Sequence, residues 1–125
     1  MCQYYICNVC GNLIEKVEDG GNIPSCCGRQ MTELKPASTD GALEKHVPVL
    51  HMNPMDNSVT VSVGASAHPS LDYHHITWIS IQTTKGYQRK HLNPGDAPEA
   101  VFYLAPNEAV LNAYAYCNLH GLWCS

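Results

Sequence analysis

Four cysteines near the N-terminus constrain this chain more than anything that follows them. Cys7-Asn8-Val9-Cys10-Gly11 is followed, after 15 intervening residues, by the adjacent pair Cys26-Cys27 and Gly28. A segment of about 35 residues cannot bury enough apolar surface to fold alone, so it needs a staple. Cys-x2-Cys with a trailing glycine is a knuckle, in which turn amides point at the thiolate sulfurs. Four cysteines grouped two and two read as a tetrahedral four-sulfur site for zinc or a single iron. Disulfides are the other use for 7 cysteines, but the start Met1-Cys2-Gln3-Tyr4-Tyr5-Ile6 lacks the basic end and apolar core of an export signal, which favours metal. A structural zinc ribbon and a redox iron site both fit the spacing. Neighbouring residues cannot both meet a metal with relaxed knuckle geometry, so Cys26-Cys27 predicts a distorted tetrahedron.

After this unit the chain reads as strands. Leu34-Lys35-Pro36-Ala37-Ser38-Thr39-Asp40-Gly41 is polar, contains Pro and Gly, and suits a linker. Pro48 forbids a helix around Val47 and Val49 and favours extended backbone. The Asp56-Asn57 turn precedes Ser58 to Val63, whose alternation puts three valines on one face. His75 to Ile81, Gly86 to His91 and Ala100 to Leu104 read as further strands. In the first of these, alternation places His74, Ile76 and Trp78 on one face and His75, Thr77 and Ile79 on the other. Ala109 to Cys117 is the last strand, with Leu111, Ala113, Ala115 and Cys117 sharing a face of mostly small residues. No stretch holds a helical period, and short strands between Gly/Pro turns favour an antiparallel β-sandwich. The expectation is a mainly β protein: a metal-stapled unit over residues 1–36 and a sandwich over 37–125.

Composition excludes some partners. The chain is 45% hydrophobic and 14% charged, with the apolar content of a folded protein and fewer charges than the average of about 25%. A formal net charge of −4 argues against nucleic acid, whose phosphates need a basic surface. No run approaches the roughly eighteen apolar residues of a membrane span, so the expectation is a soluble cytoplasmic protein.

A second set of donors lies in the sandwich. Cys117-Asn118-Leu119-His120-Gly121 sets a thiolate and an imidazole three positions apart at the end of the last strand, and Gly121 lets the backbone turn sharply. A buried cysteine is by itself usually a small hydrophobe. The combination carries more weight: Glu44-Lys45-His46-Val47-Pro48, His68-Pro69-x4-His74 and the Cys117–His120 pair occur in that order, at separations that suit a sandwich whose loops converge. The doublet His74-His75 offers two candidates. Spacing and the face shared with Ile76 and Trp78 favour His74, with His75 on the opposite face. Cys2 and Cys124 match no motif, His51 and His91 read as surface residues, and Tyr103, Tyr114, Tyr116 and Trp123 as core or pocket wall.

The four-cysteine unit resembles the desulforedoxin-type iron site, and the ordered set of motifs over the whole chain resembles desulfoferrodoxin, the two-iron form of superoxide reductase. That resemblance implies a desulforedoxin-like N-terminal domain with an Fe(Cys)4 centre on Cys7, Cys10, Cys26 and Cys27. It implies an immunoglobulin-like catalytic sandwich with an Fe(His)4(Cys) centre, its equatorial imidazoles from His46, His68, His74 and His120 and its axial thiolate from Cys117. Glu44 and Lys45 would flank the open sixth position. An anionic sulfur opposite that position donates electron density, as in thiolate-ligated haem, and favours giving up an electron there. The sequence departs from the family at Ser70, where Met is frequent after the His-Pro pair.

The implied activity is one-electron reduction of superoxide to hydrogen peroxide, with electrons from rubredoxin or a similar small redox protein and with the chain as a homodimer. A non-catalytic electron carrier that works through the N-terminal iron is the alternative from another class. A zinc-stapled binding domain is a third.

Overall fold

The computed structural model describes residues 2–39, 46–64 and 67–125. The chain divides into two compact units, Met1–Lys35 and Pro36–Ser125, and the described residues contain strands and turns but no α-helix.

In the first unit, strand β1 (Gln3–Ile6) is the centre of a three-stranded antiparallel sheet, flanked by β2 (Leu13–Lys16) and β5 (Thr32–Leu34). Between them β3 (Ser25–Cys26) and β4 (Arg29–Gln30) form a minimal hairpin. Its two turn residues, Cys27 and Gly28, both lie in the left-handed region at φ 53° and 73°, the geometry of the tight turns that suit a hairpin's twist. One apolar cluster of the unit holds Tyr5, Cys7 and Met31, with Ile14 and Cys26 packed against it, and Cys2 and Tyr4 are buried as well. A core of this size is small for about 35 residues.

The second unit is a sandwich of two antiparallel sheets. One has the order β10-β7-β6, built from β6 (Pro48–Asn53), β7 (Ser58–Val63) and β10 (Glu99–Tyr103). The other has the order β12-β11-β8-β9, built from β8 (Ile76–Thr83), β9 (Gly86–His91), β11 (Val110–Cys117) and β12 (Gly121–Cys124). Val59, Val61 and Val63 of β7 and Phe102 of β10 meet Ile79 and Ile81 of β8 and Ala113 and Ala115 of β11 in one core. The small residues on β11 let the two sheets approach, and Phe102 and the isoleucines fill the space. Asn57 closes the β6–β7 turn in the left-handed region at φ 54°, and its side-chain amide donates to the Leu104 and Ala105 carbonyls. Side chains of β9 cover the outer edge of β10, with Gln88 donating to the Tyr103 carbonyl at 3.0 Å and the Lys90 ammonium to that of Val101. The exposed carbonyls of that edge are thereby occupied, which discourages pairing with another chain.

Two β-bulges correct the simple alternation. The ladder between β8 and β11 shifts register between Tyr116 and Cys117, so Ile76 faces Cys117 while Trp78 faces Tyr116. Ile76 therefore joins Ile79 and Ile81 in the core, and Trp78 lies on the other face, stacked on Tyr116 with 5.9 Å between ring centres. The expected common face of His74, Ile76 and Trp78 does not form. A second shift between Val110 and Asn112 turns Leu111 out to 54% exposure and brings Val110 against the core. Tyr103, expected in a core or pocket wall, is exposed, because it ends an edge strand. Within the expected linker, Ala37 is pinned as a parallel bridge to Trp123, exchanging hydrogen bonds with the Leu122 carbonyl and the Cys124 amide.

Candidate metal centres

The N-terminal donors converge because two turns aim them at one point. Cys7 ends just after β1, and the following turn bends so that the amides of Val9 and Cys10 donate to its sulfur at 3.4 and 3.5 Å. Gly11 at φ 81° completes this knuckle and donates its own amide to the Cys7 carbonyl. Across from it, Cys26 closes β3 and Cys27 occupies the left-handed turn position. That conformation is uncommon for a residue with a side chain. It resolves the difficulty of an adjacent pair, since reversing the chain at Cys27 swings its sulfur back beside that of Cys26, 3.9 Å away. The Cys10 and Cys26 sulfurs are 3.6 Å apart, and all four lie within 4.8 Å of one another. A tetrahedron with metal–sulfur bonds of about 2.3 Å has edges of about 3.8 Å, so the cluster is already near the size a metal requires.

Its electrostatics also call for a cation. The amides of Cys10 and Val9 hold the Cys7 thiol down to about 6, while the sulfurs of Cys10, Cys26 and Cys7 push Cys27 up to about 12. One thiolate forms readily among these groups, and each further one must ionise beside it. A bound divalent or trivalent ion removes that repulsion and makes all four thiolates stable together. Cys10 and Cys27 are exposed, so one side of the cluster faces solvent.

The second group is assembled at one end of the sandwich. Cys117, fully buried, is the last residue of β11 and pairs across the hairpin with Gly121, whose φ of 83° permits the tight return. The turn between them carries His120, with Nδ1 3.8 Å from the Cys117 sulfur. His46 lies two residues before β6, and His68 and His74 lie on the segment leading into β8. The four imidazoles close a ring. Successive centre-to-centre distances are 4.6 Å from His46 to His68, 4.8 Å to His74, 5.1 Å to His120 and 5.0 Å back to His46, and every neighbouring pair is edge-to-face. Donor atoms of His46, His74, Cys117 and His120 lie within 4.8 Å of one another. With metal–nitrogen bonds of about 2.1 Å, nitrogens on opposite sides of one ion are about 4.2 Å apart, so these four donors fit a first-row metal, while His68 lies beside His46 and His74 but outside this set. Neutral imidazoles and one thiolate are the donor chemistry such a metal takes.

Local contacts orient the rings. His68 Nδ1 lies 2.7 Å from the Pro69 carbonyl. Only the tautomer protonated at Nδ1 can use that acceptor, which makes Nε2 the nitrogen that carries the lone pair. Trp123 stacks on His46 at 4.6 Å with 14° between the planes, and its indole N–H donates to the His120 carbonyl at 3.2 Å. Trp123 thus supports two of the four imidazoles. The sequence places Trp123 in the core or a pocket wall, and its position two residues after Gly121 is the signal for this supporting role. Cys117 is buried with His46, His68 and His74, whereas His120 is exposed, so solvent reaches the group on the His120 side.

His75 is the neighbour that does not join the ring. Its backbone turns into β8, and its amide donates to the Asn118 side chain instead. Glu44 and Lys45 lie outside the described residues. Cys2 is buried, Cys124 is half-buried, and neither belongs to a donor cluster among the described residues. His51 and His91 are exposed, as expected.

Comparison with known proteins gives a consistent result. A family model described as Desulfoferrodoxin matches residues 38–125. The chain is 43% identical over 121 residues to a desulfoferrodoxin homolog of Archaeoglobus fulgidus, covering 97% of this chain and 94% of that protein. It is also 43% identical over 121 residues to the desulfoferrodoxin of Nitratidesulfovibrio vulgaris, covering 97% and 93% respectively. Among solved structures, the superoxide reductase from Treponema pallidum superposes with a TM-score of 0.86 at 30% identity, over 100% of this chain and 98% of that one.

Proposed function

The chain belongs to the desulfoferrodoxin family, and from that premise we propose that it is a superoxide reductase whose catalytic centre is the four-imidazole group with Cys117. The two donor groups are positioned for metal as the iron sites of that family are. Iron held by the imidazoles and Cys117 supplies a one-electron couple for a reaction in which superoxide takes up one electron and two protons to give hydrogen peroxide. The observation that carries the proposal is the closed ring of His46, His68, His74 and His120 beside a fully buried cysteine.

Each residue then has a task. The imidazoles bind the metal while remaining neutral, so the thiolate is the only anionic donor among the five. Cys117 would supply the thiolate ligand, and its burial excludes water from the sulfur and protects it from oxidation. Approach from solvent is on the side of His120. By resemblance, Lys45 would attract the superoxide anion, and the Glu44 carboxylate would serve as a further ligand to the iron. Solvent supplies the two protons.

The N-terminal cysteines would form an Fe(Cys)4 centre in a domain over residues 1–36, with the catalytic domain over 37–125. The exposure of Cys10 and Cys27 supports electron exchange with a small donor of the rubredoxin type, in a cytoplasmic homodimer. That same exposure favours a carrier function for this centre in its own right, which is the second reading. Superoxide consumption separates the two. Protein reduced beforehand should consume superoxide stoichiometrically with its C-terminal iron, and a residues 36–125 fragment should do so too. A fragment that binds iron yet leaves superoxide untouched would overturn the catalytic reading in favour of the carrier.

A further inference from the structure

The segment 69–75 brings His74 into the ring but has little secondary structure to hold it there. Its internal support is one isolated bridge, in which Leu71 and His74 exchange backbone hydrogen bonds at 2.8 and 3.1 Å. Gly95 donates to the Ser70 carbonyl and hydroxyl from the adjoining loop. On the side facing the Cys117–His120 turn, one residue, Asn118, makes three hydrogen bonds to this segment. The Asn118 side-chain oxygen Oδ1 accepts from the His75 amide at 2.9 Å, the Asn118 side-chain amide donates to the Tyr73 carbonyl at 3.0 Å, and the Asn118 backbone amide donates to the His75 carbonyl at 3.2 Å.

These three bonds bracket His74 from both sides along the chain, and they start from the residue between Cys117 and Leu119. We propose that Asn118 is a positioning residue: it locks the strandless segment carrying His74 to the turn carrying Cys117 and His120, so the donors are in register without help from the metal. This inference rests on the metal-binding reading of the four-imidazole group.

The residue type suits the task. The clamp needs one acceptor and one donor on a short side chain, which asparagine supplies from a single amide. Aspartate keeps the acceptor for the His75 amide but loses the donor for Tyr73. Alanine loses both and leaves only the backbone bond. Residues that orient ligands without touching the metal commonly change metal affinity by about 10–100-fold when removed, and Asn118 orients a whole segment.

The experiment uses the full chain loaded with iron and challenged with a ferrous-specific chelator, while the absorption of each centre is followed separately. Asn118→Ala should release the C-terminal iron at least about tenfold faster than the parent, with the N-terminal centre unchanged as internal control. Backbone hydrogen exchange at His75 should accelerate in the same variant, a local signature that a general loss of stability would not confine to this amide. Leu119→Ala, next door and exposed, should match the parent in both measurements. Asn118→Asp should keep His75 protected while still releasing iron faster than the parent, and it serves if the alanine variant does not fold. Parent-like release in whichever of the two variants folds, or unchanged exchange at His75 in Asn118→Ala, overturns the clamp. A parent chain that takes up no metal at its C-terminal group would instead overturn the site reading, and the two failures are distinguishable.

Discussion

Replacing Cys117 by serine separates the structural from the electronic contribution of one atom. Cys117 is fully buried at the end of β11, in contact with the core of β7, β8 and β10 and 3.8 Å from His120 Nδ1. A serine hydroxyl there exchanges a weakly polar thiol for a group whose burial costs about 1–3 kcal/mol unless a partner is found. For a unit of this size each kcal/mol shifts the melting midpoint by roughly 4–8 °C, so the metal-free sandwich should melt about 4–24 °C lower. The electronic effect is sharper. As the only sulfur among the proposed catalytic donors, Cys117 is the source of any sulfur-to-iron charge-transfer band from that centre, and Cys117→Ser should abolish the band. The chromophore of the four-cysteine centre should persist. Absorption spectra of oxidised parent and variant, normalised to iron, make the test, with calorimetry of the metal-free forms beside it. An oxidised C-terminal spectrum unchanged in Cys117→Ser would refute thiolate ligation, and a melting loss with no spectral change would leave Cys117 as a core residue only.

Three further outcomes follow from the same geometry. Cys10→Ser removes one of four sulfurs from the N-terminal cluster and should abolish its absorption, while superoxide reduction by pre-reduced protein stays within about twofold of the parent if the small unit folds around its own metal; joint loss of both irons would show the units to be interdependent. Glu108 has its carboxyl held below the usual range by the Thr83 hydroxyl and the Ala105 amide, so its stabilisation is present at neutral pH and disappears as pH falls through its lowered folded value. Urea midpoints of parent and Glu108→Gln should accordingly differ at pH 7 and converge in acid, and a constant gap would remove the ionised carboxylate from the explanation. Because the chain is formally −4, attraction of superoxide must be local: Lys45→Glu should slow the encounter by about 10-fold or more at low salt, with the difference shrinking as salt is added, and an unchanged stopped-flow rate would leave the metal's charge as the sole attractor.

Much of this arrangement was legible from residue order. Alternation over Ser58 to Val63 marks β7 to the residue, and the strand read over Gly86 to His91 is β9, paired with β8. Both are regular antiparallel ladders in which period two maps directly onto faces. Alternation failed at Ile76 and Leu111, each beside a bulge, because one extra residue exchanges the faces of everything on its far side. Nothing in the composition of β8 or β11 announces those insertions. One of them sits at Tyr116–Cys117, beside the buried cysteine of the donor group.

His74 joins the ring for a reason other than the one alternation offers. Alternation favoured it over His75 through a face shared with Ile76 and Trp78, and that face does not exist. The choice between the two histidines is made instead by tertiary bonds. The short bridge to Leu71 turns the chain at His74, and the amide and carbonyl of His75 are both taken by Asn118, from 43 residues away in sequence. A single sequence does not display such a contact. It does display the residue able to make it, a short side chain with one donor and one acceptor placed between a cysteine and a histidine. Trp123 follows the same logic, since its stack on His46 and its bond to the His120 carbonyl depend on β12 folding back along β11. The hairpin from Cys117 to Trp123 therefore supplies two donors directly and, through Asn118 and Trp123, reaches the segments that carry His46 and His74. Donor spacing along the chain can identify a metal site, but its geometry is set by these intervening residues.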